Sequence, residues 1–311
     1  MLILNTMFIN EHSFRMSSEG PLAMGEHNAK TAVPGVALAT SAGISFLRRS
    51  AAGEAVVFLH GIGSRGASFL PVVPHLHADL DLIFWNAPGY DASAPLAEEW
   101  PTEEAYATAL LRLFDALGLD RVLLVGHSLG TLIAARFAMH HGDRLSGLVL
   151  SECAAGYGVR VGGTLPEKSQ ARIDALETLG GPEFARTRAA RLVHDPEGRP
   201  DAVSAVEAAM GAVTMPGYGQ AVRMLSSGRL TESLAHVKIP TTFVWAEGDV
   251  VTPEAQTLAA IEARSASGAD DVDYRRIADA GHAVYLEQPE AFAAVIATAI
   301  AAARGRTQHV N

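Results

Sequence analysis

One cysteine, Cys153, stands in a chain of 311 residues. No internal disulfide is therefore available, and nothing points to an oxidising compartment. No stretch of about 18 uninterrupted apolar residues occurs, which argues against a membrane-spanning helix. The first ten residues are apolar but lack a basic start and a small-residue cleavage site, so they make a poor signal peptide. Basic runs and stripes are missing too, and the formal net charge is −10, which excludes the usual means of neutralising phosphates in a nucleic-acid partner. Metal-ligand spacings are lacking: His75 and His77 are not at the i, i+4 spacing of a helical zinc pair, and the adjacent His140 and His141 point in different directions on a helix. Gly61-Ile62-Gly63 has neither the Gly-Lys-Ser/Thr of a phosphate cradle nor the third glycine of a dinucleotide fingerprint. These absences predict a cytoplasmic protein with no metal, no cofactor, and no nucleic-acid or membrane partner, acting on a small molecule. A homodimer is compatible with the composition.

What remains is an ordinary globular composition, 49% hydrophobic and 19% charged, long enough for one large α/β domain plus an insertion. Residues 1–34 show no clear period and read as a loosely ordered extension, or as an arm packing on a partner subunit; Met16 and Met24 are alternative starts. Strand-like runs follow at Val36–Thr40, Ile44–Arg48, Val56–Leu59, Leu82–Trp85, Val122–Val125, Leu148–Leu150, Thr242–Trp245 and Tyr274–Ile277. Helical patterns fall near Ser68–His77, Thr102–Leu117, Leu129–His141, Glu254–Arg264 and Pro289–Ala303. This alternation predicts an α/β fold with a mainly parallel eight-stranded sheet between helices. Ser41-Ala42-Gly43 joins the first two runs as a hairpin, so the sheet begins antiparallel. Residues 157–234 break the alternation with helical stretches at Glu167–Leu179, Pro182–Leu192 and Asp201–Ala212. They read as a helical cap between two parts of a core, 35–156 and 235–303, followed by a tail, 304–311. Ligands of open α/β sheets bind at the carboxyl ends of strands, where such a cap lies.

Chemistry concentrates at Gly126-His127-Ser128-Leu129-Gly130. A buried strand runs into a serine bracketed by glycines, and a helix starts at once. In that context the motif is a nucleophile elbow; the bland reading is a tight turn whose serine caps the helix. A serine hydroxyl needs a base, and the base an orienting acid, in the chain order Ser, Asp or Glu, His. His282, just past the last strand, is the best base. Asp249, in Trp245-Ala-Glu-Gly-Asp249, is the favoured acid, and Glu152, at the end of the preceding strand, is its rival. Oxyanion donors are expected from the backbone N–H groups of Leu129, after the nucleophile, and Ile62, in the loop His60-Gly-Ile-Gly-Ser64.

The chain resembles the alpha/beta-hydrolase family through Phe58-Leu-His-Gly-Ile-Gly63, Trp85-Asn-Ala-Pro-Gly-Tyr-Asp-Ala-Ser93, Gly126-His-Ser-Leu-Gly130, and Gly281-His282 after Gly248-Asp249. The resemblance spans about residues 36–303. It implies Ser128, Asp249 and His282 as a triad, Ile62 and Leu129 as oxyanion donors, and a cap at about 157–234. Within the family the chain is most similar to enol-lactonase-like and meta-cleavage-product-hydrolase-like proteins. Two positions depart from the pattern: Asn86 stands where the family usually has Asp, and Asp91 where it often has Gly. Serine at 128 sets the chain apart from branches with an aspartate nucleophile.

The function expected is hydrolysis of a small carboxylic ester or lactone through an acyl-enzyme. The alternatives are C–C bond hydrolysis of a ring-cleavage product, and a ligand-binding protein on a hydrolase scaffold. In the cap, Tyr157, Arg160, Met215 and Tyr218 are candidate substrate contacts; Arg172, Arg186, Arg188 and Arg191 are further cations for a substrate carboxylate. Met210 and Met224 could line an apolar pocket or serve only packing.

Overall fold

A computed structural model describes residues 33–268 and 271–307, so residues 1–32 of the predicted N-terminal extension and 308–311 of the predicted tail lie outside the described residues. Among these, the strands are β1 (Val36–Ser41), β2 (Ile44–Arg49), β3 (Ala55–Leu59), β4 (Asp81–Trp85), β5 (Val122–His127), β6 (Leu145–Ser151), β7 (Thr241–Ala246) and β8 (Val272–Ile277). They form one sheet in the order β1-β2-β4-β3-β5-β6-β7-β8. β1 pairs with β2, and β2 with β4, antiparallel; every other neighbouring pair is parallel. The hairpin at Ser41-Ala42-Gly43 is thus present, and the parallel part carries the site.

The central strands are apolar along their whole length because helices cover both faces. Val56 to Leu59, Leu82 to Trp85 and Val122 to Val125 are all buried. The covering helices are α1 (Glu103–Leu117), α2 (Leu129–His141), α7 (Glu254–Ser265) and α9 (Pro289–Thr307), with the short α8 (Val284–Glu287) after β8. α1 stops at Gly118, which takes φ 65° and closes the helix with its N–H on Asp115 and Phe114 carbonyls. Gly66–His75, expected as part of an α-helix, is a 3-10 helix. Pro71 and Pro74 lie inside it and remove N–H groups that an α-helix would need.

Between β6 and β7 lie α3 (Glu167–Arg186), a 3-10 turn (Ala189–Leu192), α4 (Pro200–Gly211), α5 (Gly217–Ser227) and α6 (Leu230–Leu234). α3 runs through the gap expected between two helices, kinked at Gly180 with φ 71°, so the predicted Pro182–Leu192 helix is the end of α3 and a separate 3-10 turn. α5 and α6 were not foreseen. The stretch Met215-Pro-Gly-Tyr-Gly reads as a breaker, yet Pro216 is the N-cap of α5 and costs no helical hydrogen bond there. Among the described residues no helix is long and apolar enough to cross a membrane.

These inserted helices are fastened to the loops beyond the sheet's carboxyl edge. Gly217 at the start of α5 meets Gly89 in the loop after β4, where a Cβ on Gly217 would lie 2.1 Å from the Gly89 carbonyl oxygen. One turn on, Gln220 Nε2 donates to the carbonyls of Leu96 (2.7 Å) and Glu98 (2.8 Å). The Ala283 N–H donates to the Leu192 carbonyl at 2.9 Å. Glu287 completes the attachment: Oε2 accepts from Gly281 N–H, 2.7 Å, while Oε1 accepts from His194 N–H, 2.9 Å, and from Arg199, 2.8 Å.

Candidate active site

Ser128 sits between β5 and α2 with φ 52° and ψ −117°, a backbone conformation strained for any residue with a side chain. The turn is possible because its neighbours are small. A Cβ on Gly126 would come 2.6 Å from the Gly130 carbonyl oxygen. Two backbone bonds fix the bend: Ser128 N–H donates to Ser151 O, and Thr131 N–H to Ser128 O, both at 2.9 Å. Leu129 is the first residue of α2, so its N–H has no acceptor within the helix and lies at the helix's positive end.

The loop after β3 lies against this turn. A Cβ on Gly61 would be 3.1 Å from Ser128 Cβ and 3.2 Å from His127 Nδ1. His60 anchors the loop: Nδ1 donates to the Gly61 carbonyl (2.8 Å), and Nε2 accepts from Ala87 N–H (3.0 Å). Burial pushes the His60 imidazole down to about 4, so it stays neutral. Tyr90 donates its hydroxyl to the Ile62 carbonyl at 2.8 Å, fixing the peptide next to the expected donor.

The two departures in the loop after β4 have physical explanations. Asn86 is buried; its Oδ1 accepts from Gly66 N–H (2.9 Å) and its Nδ2 donates to Ser45 Oγ (3.0 Å). An amide serves both neighbours because it carries a donor and an acceptor. Asp91 adopts φ 47°, a region aspartate tolerates better than most residues, and pairs with Arg65 at 2.8 Å.

His282 and Asp249 meet at the ends of β8 and β7. His282 Nδ1 donates to Asp249 Oδ2 at 2.9 Å. The same oxygen accepts from Thr252 Oγ1 at 2.5 Å; Oδ1 accepts from the N–H groups of Val251 (2.7 Å) and Thr252 (3.2 Å). Burial alone would raise this carboxyl, but His282, Thr252 and the Val251 amide outweigh it and hold it below the usual carboxylate range. With Nδ1–H committed to Asp249, Nε2 keeps its lone pair. Glu152, the rival acid, turns elsewhere: Oε1 accepts from Ala246 N–H at 2.9 Å, and Oε2 shares a hydrogen bond with Ser151 Oγ.

His127 was missed as a contributor. Its Nε2 donates to the His282 carbonyl at 2.7 Å, and burial drives its imidazole down to about 3. The signal available in the sequence was a histidine inside an otherwise apolar strand end. Thr252, two residues from Val250 in a turn, carried no signal of its own.

The proposed substrate contacts separate. Tyr218 is 2% exposed, whereas Tyr157 is 58% and Met215 37% exposed. Arg160 is exposed on an outer cleft it shares with Glu104, Arg136 and Arg229, away from Ser128. Arg186 pairs with Glu183 at 2.6 Å, and Arg191 donates to the Val250 carbonyl at 3.2 Å. Arg188 lies over the Phe184 ring, 4.6 Å from its centroid, and Phe184 packs edge-on against Tyr218 at 5.3 Å. Arg172 shares the face of α3 that carries the buried Ser169, Ile173 and Leu176; Ser169 Oγ accepts from Ser226 Oγ of α5 at 3.0 Å. Among the described residues no cluster of His, Cys, Asp and Glu could hold a metal ion.

Comparison with known proteins fits this geometry. The model of the alpha/beta hydrolase fold family matches residues 54–289. A 2-hydroxy-6-oxononadienedioate/2-hydroxy-6-oxononatrienedioate hydrolase of Dechloromonas aromatica is 34% identical over 101 residues, covering 31% of this chain and 35% of that protein. A pimeloyl-(acyl-carrier protein) methyl ester esterase of Aeromonas hydrophila is 26% identical over 274 residues, 80% of this chain and 96% of that one. The chain thus matches only about a third of the length of the first of these. Among solved structures, the enol-lactonase of Burkholderia xenovorans LB400 superposes with a TM-score of 0.73 at 20% identity, covering 85% of this chain and 100% of that one.

Proposed function

The chain belongs to the alpha/beta-hydrolase family, and from that premise we propose that it is a serine hydrolase cleaving a small carboxylic ester or lactone. Ser128 Oγ attacks the carbonyl carbon and its proton passes to His282 Nε2. The charge on the carbonyl oxygen is met by the N–H groups of Leu129 and Ile62. His282 then gives the proton to the departing alkoxide, leaving an acyl-serine. A water attacks the acyl carbon, His282 takes its proton, and the acid departs as Ser128 recovers its hydrogen. The observation that carries this reading is the Nδ1–H of His282 held at 2.9 Å by an Asp249 carboxylate with every neighbouring donor aimed at it.

The inserted helices act as a cap that selects substrate. Arg172 and Arg188 both lie within electrostatic reach of the buried Tyr218, and among the described residues neither forms an ion pair, whereas Arg186 pairs with Glu183. They suit an acidic group on the substrate, which a neutral ester would not use. A second reading, C–C bond hydrolysis of a ring-cleavage product, is favoured by the relative from Dechloromonas aromatica, named as a hydrolase of 2-hydroxy-6-oxononadienedioate and 2-hydroxy-6-oxononatrienedioate.

One panel tests both: short esters, lactones and vinylogous ring-cleavage diketones, each with and without a carboxylate, against wild type and Ser128→Ala. Ester or lactone turnover lost in Ser128→Ala supports the proposal, and undiminished turnover in that variant sinks it. Turnover of the diketones alone selects the second reading. Arg172→Gln and Arg188→Gln should raise KM for the acidic substrates about tenfold and leave the neutral ones near wild type.

A further inference from the structure

Glu152 has no part in the chemistry above, yet it is fully buried and stands where three strand ends converge. Oε1 accepts from Ala246 N–H at 2.9 Å, and the Ala246 carbonyl in turn accepts from Asp249 N–H at 3.0 Å. Oε2 bonds Ser151 Oγ, and the Ser151 carbonyl accepts from the N–H of Ser128. Oε2 is also 3.8 Å from His127 Nε2, whose hydrogen goes to the His282 carbonyl. Each of Ser128, Asp249 and His282 is therefore one residue away from an atom that Glu152 touches. The Glu152 backbone takes φ 49°, in the left-handed region that side chains rarely adopt.

We propose that Glu152 is a positioning residue for all three, binding the ends of β5, β6 and β7 into one rigid unit through hydrogen bonds rather than through charge. Burial, and then the neighbouring Asp249 carboxylate, hold the Glu152 carboxyl well above the usual carboxylate range. The two carboxyls are thus pushed in opposite directions, Asp249 down by His282 and its other donors and Glu152 up by burial. Both oxygens of Glu152 accept, Oε1 from Ala246 N–H and Oε2 from the Ser151 hydroxyl. A primary amide keeps an acceptor for Ala246 N–H and can meet the rotatable Ser151 hydroxyl with its own N–H, whereas an apolar side chain of equal volume offers neither.

The inference rests on reading Ser128, Asp249 and His282 as a triad. Its test compares Glu152→Met with Glu152→Gln by steady-state kinetics and by the low-field proton resonance of His282 Nδ1–H, which is read without turnover. Glu152→Met should lower kcat about ten- to a hundredfold, the range expected from small misplacement of reacting groups, with KM within about twofold, and should shift the low-field resonance. Glu152→Gln should recover both. If glutamine fails as methionine does, charge is required and the inference is overturned in favour of an acid role. A methionine variant with wild-type kcat, or one losing activity while its resonance stays in place, also overturns it. Should Glu152→Met not fold, Glu152→Gln with Ser151→Ala serves instead: the amide must keep the resonance and loss of the Ser151 hydroxyl must disturb it. If Ser128→Ala remains active, the triad reading fails, whatever the Glu152 variants do.

Discussion

His127, the residue before Ser128, holds the backbone of His282, the proposed base: its Nε2–H is donated to the His282 carbonyl at 2.7 Å. The rings also lie close, with centroids 4.9 Å apart. Geometry at the nucleophile and at the base is therefore one property. His127→Phe keeps a ring in the same space but leaves that carbonyl unpartnered. The expected results are a kcat lowered about tenfold or more and a stability loss of about 1–3 kcal/mol, read by kinetics and by urea unfolding. Wild-type kcat in a folded His127→Phe would show that the bond does not position the base.

The backbone strain at Ser128 makes a second prediction. At φ 52° and ψ −117° only glycine is unstrained. Ser128→Gly and Ser128→Ala should both be inactive, yet the glycine variant should be more stable than the alanine one. The gain is about 1 kcal/mol, strain relief less the entropy lost by glycine. Denaturant melts of the two proteins decide it, and equal midpoints would mean that no strain is stored there.

Three buried groups give the stability a pH dependence with two opposing signs. His60 and His127 titrate near 4 and 3 in the fold because burial disfavours their charged forms, but near 6.5 when unfolded. Below about pH 6.5 the unfolded chain binds protons the folded one refuses. Stability therefore falls as pH drops from 6.5 toward 4, by about 2 kcal/mol for each imidazole at pH 5. Glu152 works the other way. Around it stand Asp249, His127, Cys153 and Tyr285, and burial raises its carboxyl well above the ordinary value, so the fold keeps this proton to a higher pH than the unfolded chain does. Its contribution therefore weakens as pH rises above about 4.5. Glu152→Gln removes only this second effect. The Tm of Glu152→Gln minus that of wild type should widen steadily from pH 4.5 to pH 8. A constant difference would mean that Glu152 is ionised in the fold.

Gly217 offers a test of the cap's seat. An alanine Cβ there would lie 2.1 Å from the Gly89 carbonyl oxygen, and backbone cannot swing aside as a side chain can. Gly217→Ala should push α5 outward. It should lower Tm by several degrees and raise KM more than it lowers kcat, since Tyr218 moves with the helix while Ser128 does not. A fall in kcat alone would place the damage at the triad instead.

The sheet was legible because its central strands are apolar on both faces and its helices keep the 3.6-residue period: α2 begins and ends where its pattern does, at Leu129 and His141. The inserted helices were less so, because α5 opens on Met-Pro-Gly-Tyr-Gly and its inward face is set by packing on α3 and on Gly89. The carboxylate pair shows the limit well. Sequence places both Asp249 and Glu152 at strand ends next to the same histidine. Only the direction of each side chain, one to His282 Nδ1 and one to Ala246 N–H, distinguishes them. His127 was hidden because a strand-end histidine shows nothing of the distant carbonyl it meets.

Glu287 has a further consequence. One carboxylate gives one oxygen to the peptide before His282 and the other to His194 and Arg199 in the inserted segment. Together with the Ala283–Leu192 bond, this carboxylate ties the inserted segment to the loop that carries His282. Displacing the inserted segment as a whole would break these bonds or move the loop that carries His282. Substitutions near residues 192–199 should therefore be felt at His282 as well.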